Sequence, residues 1–145
     1  MISAADVINP LKADLSAAGL AACKGAGAIP QTLDQVKVSR TAFVMTPGER
    51  AHPNDAGTAV LRQTCTVDFQ ILVVFTKIGA TGADQTDAID AAREGIKNVL
   101  LGKVLAPGHD PVELVSAGIL EVDAAAGTLV YALVFSTVYH LRRNA

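Results

Sequence analysis

The sequence predicts an α+β domain: a mostly antiparallel β-sheet with two main helices packed on one face and a long polar hairpin arm. Three observations predict it. Cys65 to Lys77, CTVDFQILVVFTK, alternates strictly, with Cys65, Val67, Phe69, Ile71, Val73 and Phe75 on one side. That is the period of a half-buried strand, whose successive side chains point to opposite faces. Residues 3–18 and 85–101 instead carry apolar positions at helical spacing. The candidates run helix, strand, strand, helix, strand, strand, an order that suits hairpins rather than alternating parallel units.

Each element has its own justification. Ser3 can cap the first helix, and Val7, Ile8, Leu11 and Leu15 share a face, while Pro10 disturbs it and Gly19 ends it. Leu20 to Ile29 is rich in Gly and Ala and reads as a loop or irregular extended segment, and Pro30 to Gln35 as one helical turn. Residues 40–45 form a short strand candidate. The stretch 46–58, TPGERAHPNDAGT, is dense in turn formers and joins two strands, which makes it the arm. A strand over 60–77 follows, closed by Gly79 to Ala83. Asp84 or Thr86 caps the second helix, whose stripe is Ile89, Ala92, Ile96, Val99 and Leu100 and whose acidic start and Lys97 suit the helix dipole. Ala106 to Pro111 is a turn, and Val112 to Ala117 is open between a helical turn and an edge strand. Residues 119–122 and 128–141 read as a hairpin about a turn at Asp123 to Gly127.

The second strand of that hairpin is apolar on both faces, as strands covered on both sides are. Two helices cover one face. Its other face, with Val130, Val134 and Val138, and the dry end of the central strand, with Leu72 and Val74, are therefore expected to pack against another subunit.

At 145 residues the chain reads as one domain spanning 1–145, large enough to fold without metal or disulfide. Half of it is hydrophobic and 18% charged, apolar enough to suggest surface covered by partners. No apolar run approaches the ~20 residues of a membrane-spanning helix. MISAADVINP lacks a basic region followed by an apolar one, so no secretory leader and no membrane partner are expected. Cys23 and Cys65 are too few for a disulfide framework, and a reducing cytoplasm fits. A net charge of -2 argues against specific nucleic-acid binding.

Chemistry is not signalled. His52, His109 and His140 have no ligand spacing and read as solvated loop or strand-end histidines, so no metal is expected. Lys24 to Gly27 lacks the Gly-Lys-Ser/Thr ending of a phosphate loop. No nucleophile elbow or HExxH occurs, and the acidic face of Asp87, Asp90 and Glu94 reads as solvated. No catalytic residue, no cofactor and no enzymatic activity are expected. Arg142 and Arg143 read as a solvated tail, or else as a contact to a nucleic acid or an acidic neighbour.

An ordered series of segments resembles the tail terminator proteins of long-tailed bacteriophages. After the first helix comes Thr41-Ala42-Phe43-Val44-Met45, running into Pro47 and the polar loop. Arg62-Gln63 leads into Val67 to Phe75, the second helix ends Val99-Leu100-Leu101-Gly102 before Pro107, and the close is Leu133 to Arg143, LVFSTVYHLRR. The resemblance covers most of the chain except Leu20 to Gln35. It implies a virion structural subunit that forms a hexameric ring on the head-proximal end of the tail, assembled in the host cytoplasm. The ring would stop tail-tube polymerisation and offer its other side to the head. Its partners would be copies of itself, the tail tube protein and a head–tail connector protein. On this reading Glu49, Arg50, His52 and Asn54 of the arm reach the tube or an adjacent subunit, while Leu72, Val74, Val130, Val134, Val138, Arg142 and Arg143 supply interface. The competing expectations are another head–tail connector or tail-tube subunit, or a small-molecule-binding or enzymatic α+β domain.

Overall fold

A computed structural model describes residues 2–29, 36, 38–54, 60–76, 86–123 and 127–144. The readings made for Pro30 to Gln35, for 55–58 of the arm, and for Gly79 to Asp84 lie outside the described residues.

Two long strands dominate. β4 (Val60–Thr76) and β6 (Thr128–Asn144) pair antiparallel over their full 17 residues, from Val60 opposite Asn144 to Thr76 opposite Thr128. Alternation decides which face goes inward: Cys65, Val67, Phe69, Ile71, Val73 and Phe75 are all buried. Phe69 stacks on Phe135 across the pair with ring centroids 5.5 Å apart. The rest of the sheet builds outward from this pair. β1 (Ala22–Gly25) runs parallel to β2 (Thr41–Val44), β2 pairs with β4, and β5 (Glu113–Asp123) forms the opposite edge on β6. β3 (Gly48–Ala51) pairs with β4 further along, at Cys65 to Asp68.

Both helices cover the inward face. α1 (Ala4–Ala13) opens on a capping box: the Asp6 amide donates to Ser3 Oγ, and the Ser3 amide donates to the Asp6 carboxylate at 2.9 Å. Pro10 sits inside it and deprives the Asp6 carbonyl of a helical partner. The helix is shorter than the expected 3–18 because Asp14 Oδ1 accepts from the Ala17 amide at 3.0 Å and caps a new turn. α2 (Thr86–Leu100) buries Ala92, Gly95, Ile96 and Leu100. Val7 and Leu11 of α1, these residues of α2, and the inward strand residues form one core.

The two helical segments meet through glycine. A methyl group on Gly95 would lie 2.6 Å from the Ala17 carbonyl oxygen, and one on Gly19 would lie 2.7 Å from the Ala91 carbonyl oxygen. Gly19 also has φ +71°, a conformation that costs glycine little.

Four sequence readings change. The Gly/Ala-rich stretch at 20–29 contains strand β1 and a 3-10 turn at Ala26–Ala28, because small residues let it lie against β2 and α1. The ambiguous 112–117 belongs to an edge strand, which begins at Glu113 rather than 119. The arm, in its described part, does not stand free: β3 and the following turn lie along β4. The second face of the sheet is partly covered by the chain itself. Phe43, Val74 and Val130 are buried there, with Leu72 and Val36 packed against them.

The central pair is longer than the body it runs through. Seventeen residues at about 3.3 Å each span roughly 56 Å. A globule of this chain length has a radius of gyration near 15 Å and is roughly 38 Å across. The core draws on β4 from Val67 onward and on β6 up to Phe135, with Tyr139 packed at its margin. Residues 60–64 and 140–144 therefore extend past the core as a ribbon end, with His52 and Asn54 of the arm bonded along β4.

Candidate assembly surfaces

The ribbon end is cationic. Register places Arg62 directly opposite Arg142 and Thr64 opposite His140, with the Thr64 hydroxyl and His140 Nδ1 3.3 Å apart. Both arginines are exposed, and the ion pairs among the described residues all lie within α2, so neither arginine has a described carboxylate within 4.0 Å. A shallow cleft of about 330 Å³ is lined by Arg62, Gln63, Thr64, His140, Leu141 and Arg142. Arg50 lies exposed beside it on β3, opposite Thr66. The backbone of Arg143 continues the pair opposite Leu61. Sequence reasoning singled out Arg142 but not Arg62, since nothing short of the register shows that they meet.

The arm residues divide between holding the chain and facing outward. Asn54 holds: its Oδ1 accepts from the Arg62 amide at 2.9 Å and its Nδ2 donates to the Val60 carbonyl. His52 does the same work, with its Nε2 3.2 Å from the Thr66 hydroxyl and its amide donating to the Thr64 carbonyl. The Glu49 carboxylate, with burial and the Cys65 thiol, holds the Tyr139 phenol well above its usual range. Arg50 is the arm residue left reaching into solvent.

His109 departs from the solvated reading. It is buried, its Nδ1 lies 3.2 Å from the Pro107 carbonyl, and its ring packs on Tyr139 with centroids 4.7 Å apart. Its neighbour Asp110 donates its amide to the Val138 carbonyl, so the 106–112 segment continues the sheet edge where β5 stops.

Of the apolar residues assigned to subunit contact, Val74 and Val130 are 2% and 3% exposed within this chain alone. Within the chain their cover comes from its own second cluster. Leu72, Val134 and Val138 are half-buried and keep some outward surface.

The larger apolar surface lies on β5. Val115, Ile119, Leu120 and Val122 are 54–60% exposed. Two register breaks, between Leu114 and Ser116 and between Ile119 and Glu121, turn extra side chains outward, and among the described strands nothing pairs with the outer edge of β5. Sequence reasoning missed this surface because an apolar run reads alike at an edge and in a core.

Among the described residues no three His, Cys, Asp or Glu side chains converge as metal ligands, and no helix is long and apolar enough to cross a membrane. Among the described residues the concentrated features are the cationic ribbon end and the apolar β5 edge. A family model described as "Phage tail terminator protein" matches residues 1–145. The chain belongs to the phage tail terminator family. It is thus a structural component of a phage tail. Among solved structures, a chain from "Virion of native gene transfer agent (GTA) particle" is similar with a TM-score of 0.68 at 20% identity, over 95% of this chain and 94% of that one. That likeness speaks to fold. No curated protein matches. The tail terminator family accounts for a chain whose distinctive residues sit on edges and ribbon ends.

Proposed function

We propose that the chain works as a ring that caps the finished tail tube at its head-proximal end, stops further polymerisation, and offers its other face for head attachment. The family match along the whole chain carries this reading. The surfaces support it, since a subunit with an open apolar edge and a projecting cationic ribbon has contacts to make on more than one side. Its partners are further copies of itself, expected as a hexamer, then the tail tube protein and a head–tail connector protein. Assembly takes place in the host cytoplasm. Arg50, exposed on β3, contacts the tube or the next subunit.

Sedimentation velocity and particle microscopy test this together. The purified chain, alone or with tail tube protein, should sediment as a ring of about six copies. Particles lacking it should carry tails of uncontrolled length, and Arg50→Ala should lower head–tail joining while the subunit stays folded. A strict monomer at high concentration, with tube protein present, would sink the ring. Tails of normal length without the chain would sink the capping role.

A further inference from the structure

We propose that the acidic, apolar β5 edge of one copy docks on the cationic ribbon end of a second copy, head to tail, and that this contact is the repeating joint of the ring. The inference rests on the ring reading above and names the surfaces that make it.

Charge distribution selects the pairing. Glu113 lies opposite Ser136 and Glu121 opposite Val130, and both are exposed. Side chains directly opposite one another share a sheet face, so these carboxylates lie on the same face as Arg62 and Arg142, Glu113 on the strand beside the ribbon and Glu121 toward the far end of the sheet. Neither carboxylate has an ion-pair partner among the described residues. The two arginines oppose each other across the ribbon, an arrangement that repels within the subunit and that an arriving carboxylate relieves.

Symmetry then follows from electrostatics. A two-fold dimer brings the same patch of both copies together. Edge against edge would oppose Glu113 and Glu121 with themselves, and ribbon against ribbon would oppose four arginines, both disfavoured by like charge. Edge against ribbon is the combination in which signs match. A contact between unlike surfaces propagates and closes into a ring when its rotation allows. The five exposed large side chains of β5, Leu114, Val115, Ile119, Leu120 and Val122, supply the apolar area, and the outer edges of β5 and of β6 beyond Tyr139, unpaired among the described strands, leave backbone groups available at both surfaces.

Two charge-reversed chains test the joint. The first, Glu113→Arg with Glu121→Arg, carries two basic surfaces. The second, Arg62→Glu with Arg142→Glu, carries two acidic ones. At a concentration where the unaltered chain is a ring, each should sediment as monomer, with dissociation at least about tenfold easier. An equal mixture should restore rings, and native mass measurement should find the two chains in equal number. Circular dichroism checks the fold, and the Gln counterparts replace any reversed chain that misfolds, with partial weakening expected. Rings of full strength in either single variant, or no recovery on mixing, would overturn the joint. So would a ribbon variant that keeps its ring but loses binding to a duplex oligonucleotide, since the arginines would then serve DNA. A monomeric unaltered chain would instead fell the ring reading itself, and the joint with it.

Discussion

At the residue scale, the clearest consequence concerns Cys23. It lies on β1 facing the core, 2% exposed, and burial pushes its thiol up to about 11 from 9.0, against a smaller opposing pull from Lys12. The sign follows directly. Below pH 9 the thiol is neutral in both folded and unfolded chains and contributes nothing. Above it, the unfolded chain releases the proton while the folded one retains it, so stability falls as pH rises from about 9 to 11. A shift of this size corresponds to about 2–3 kcal/mol at the upper limit. Denaturant titrations at pH 8 and pH 11 on the native chain and on Cys23→Ala should show the smaller alkaline loss in the variant. Cys23 was legible in the sequence only as a residue too isolated to form a disulfide framework. Its burial depends on β1, a regular strand in a stretch whose composition reads as a loop or irregular extended segment. His109 shows the same limit: a histidine in a Pro/Gly turn reads as solvated until the turn is seen folded onto Tyr139.

At the element scale, the contact between the α1–β1 connection and α2 depends on Gly19 and Gly95 approaching backbone with no side chain between. Gly95→Ala would normally favour a helix, because glycine is a poor helix former. Here the added methyl must displace the backbone at Ala17 and Ala18, so overpacking wins and the change should cost about 1–3 kcal/mol or more. Urea denaturation checks the sign, and a stabilised Gly95→Ala would show that the two segments do not meet so closely. The sequence marked Gly19 as a helix end but gave no reason to single out Gly95. Strand and helix periods were legible where one face is wet: odd positions of β4, the stripe of α2, the Ser3 cap. They failed at edges. β5 has exposed residues of every type, and its two bulges break the alternation that would have identified it. The apolar second face was legible at Leu72, Val74 and Val130, but that Phe43 of the short strand and Val36 cover it depends on how β2 pairs with β4, which local pattern does not reveal.

At the scale of the whole molecule, the α+β class was readable from the order of segments, because hydrophobic period and turn chemistry are local properties, and the family was legible only as a resemblance in an ordered series of segments. The surfaces that matter for assembly were not, because they depend on register between distant strands. Arg62 becomes the partner of Arg142 only through the 17-residue pairing of β4 with β6. That pairing also governs how the chain reaches its native state. Thr76 meets Thr128, 52 positions later (128 − 76), and Val60 meets Asn144, 84 positions later (144 − 60). Closing loops of that size costs entropy before the contacts repay it, and sheets built from distant pairs fold slowly, on the order of milliseconds to seconds. The β5–β6 hairpin, joined between Asp123 and Thr128, needs no such closure and should form first, with β4 docking onto β6 in the slow step. Stopped-flow refolding should then show Phe69→Leu slowing folding in step with its loss of stability, whereas a microsecond phase carrying the full amplitude would contradict that order.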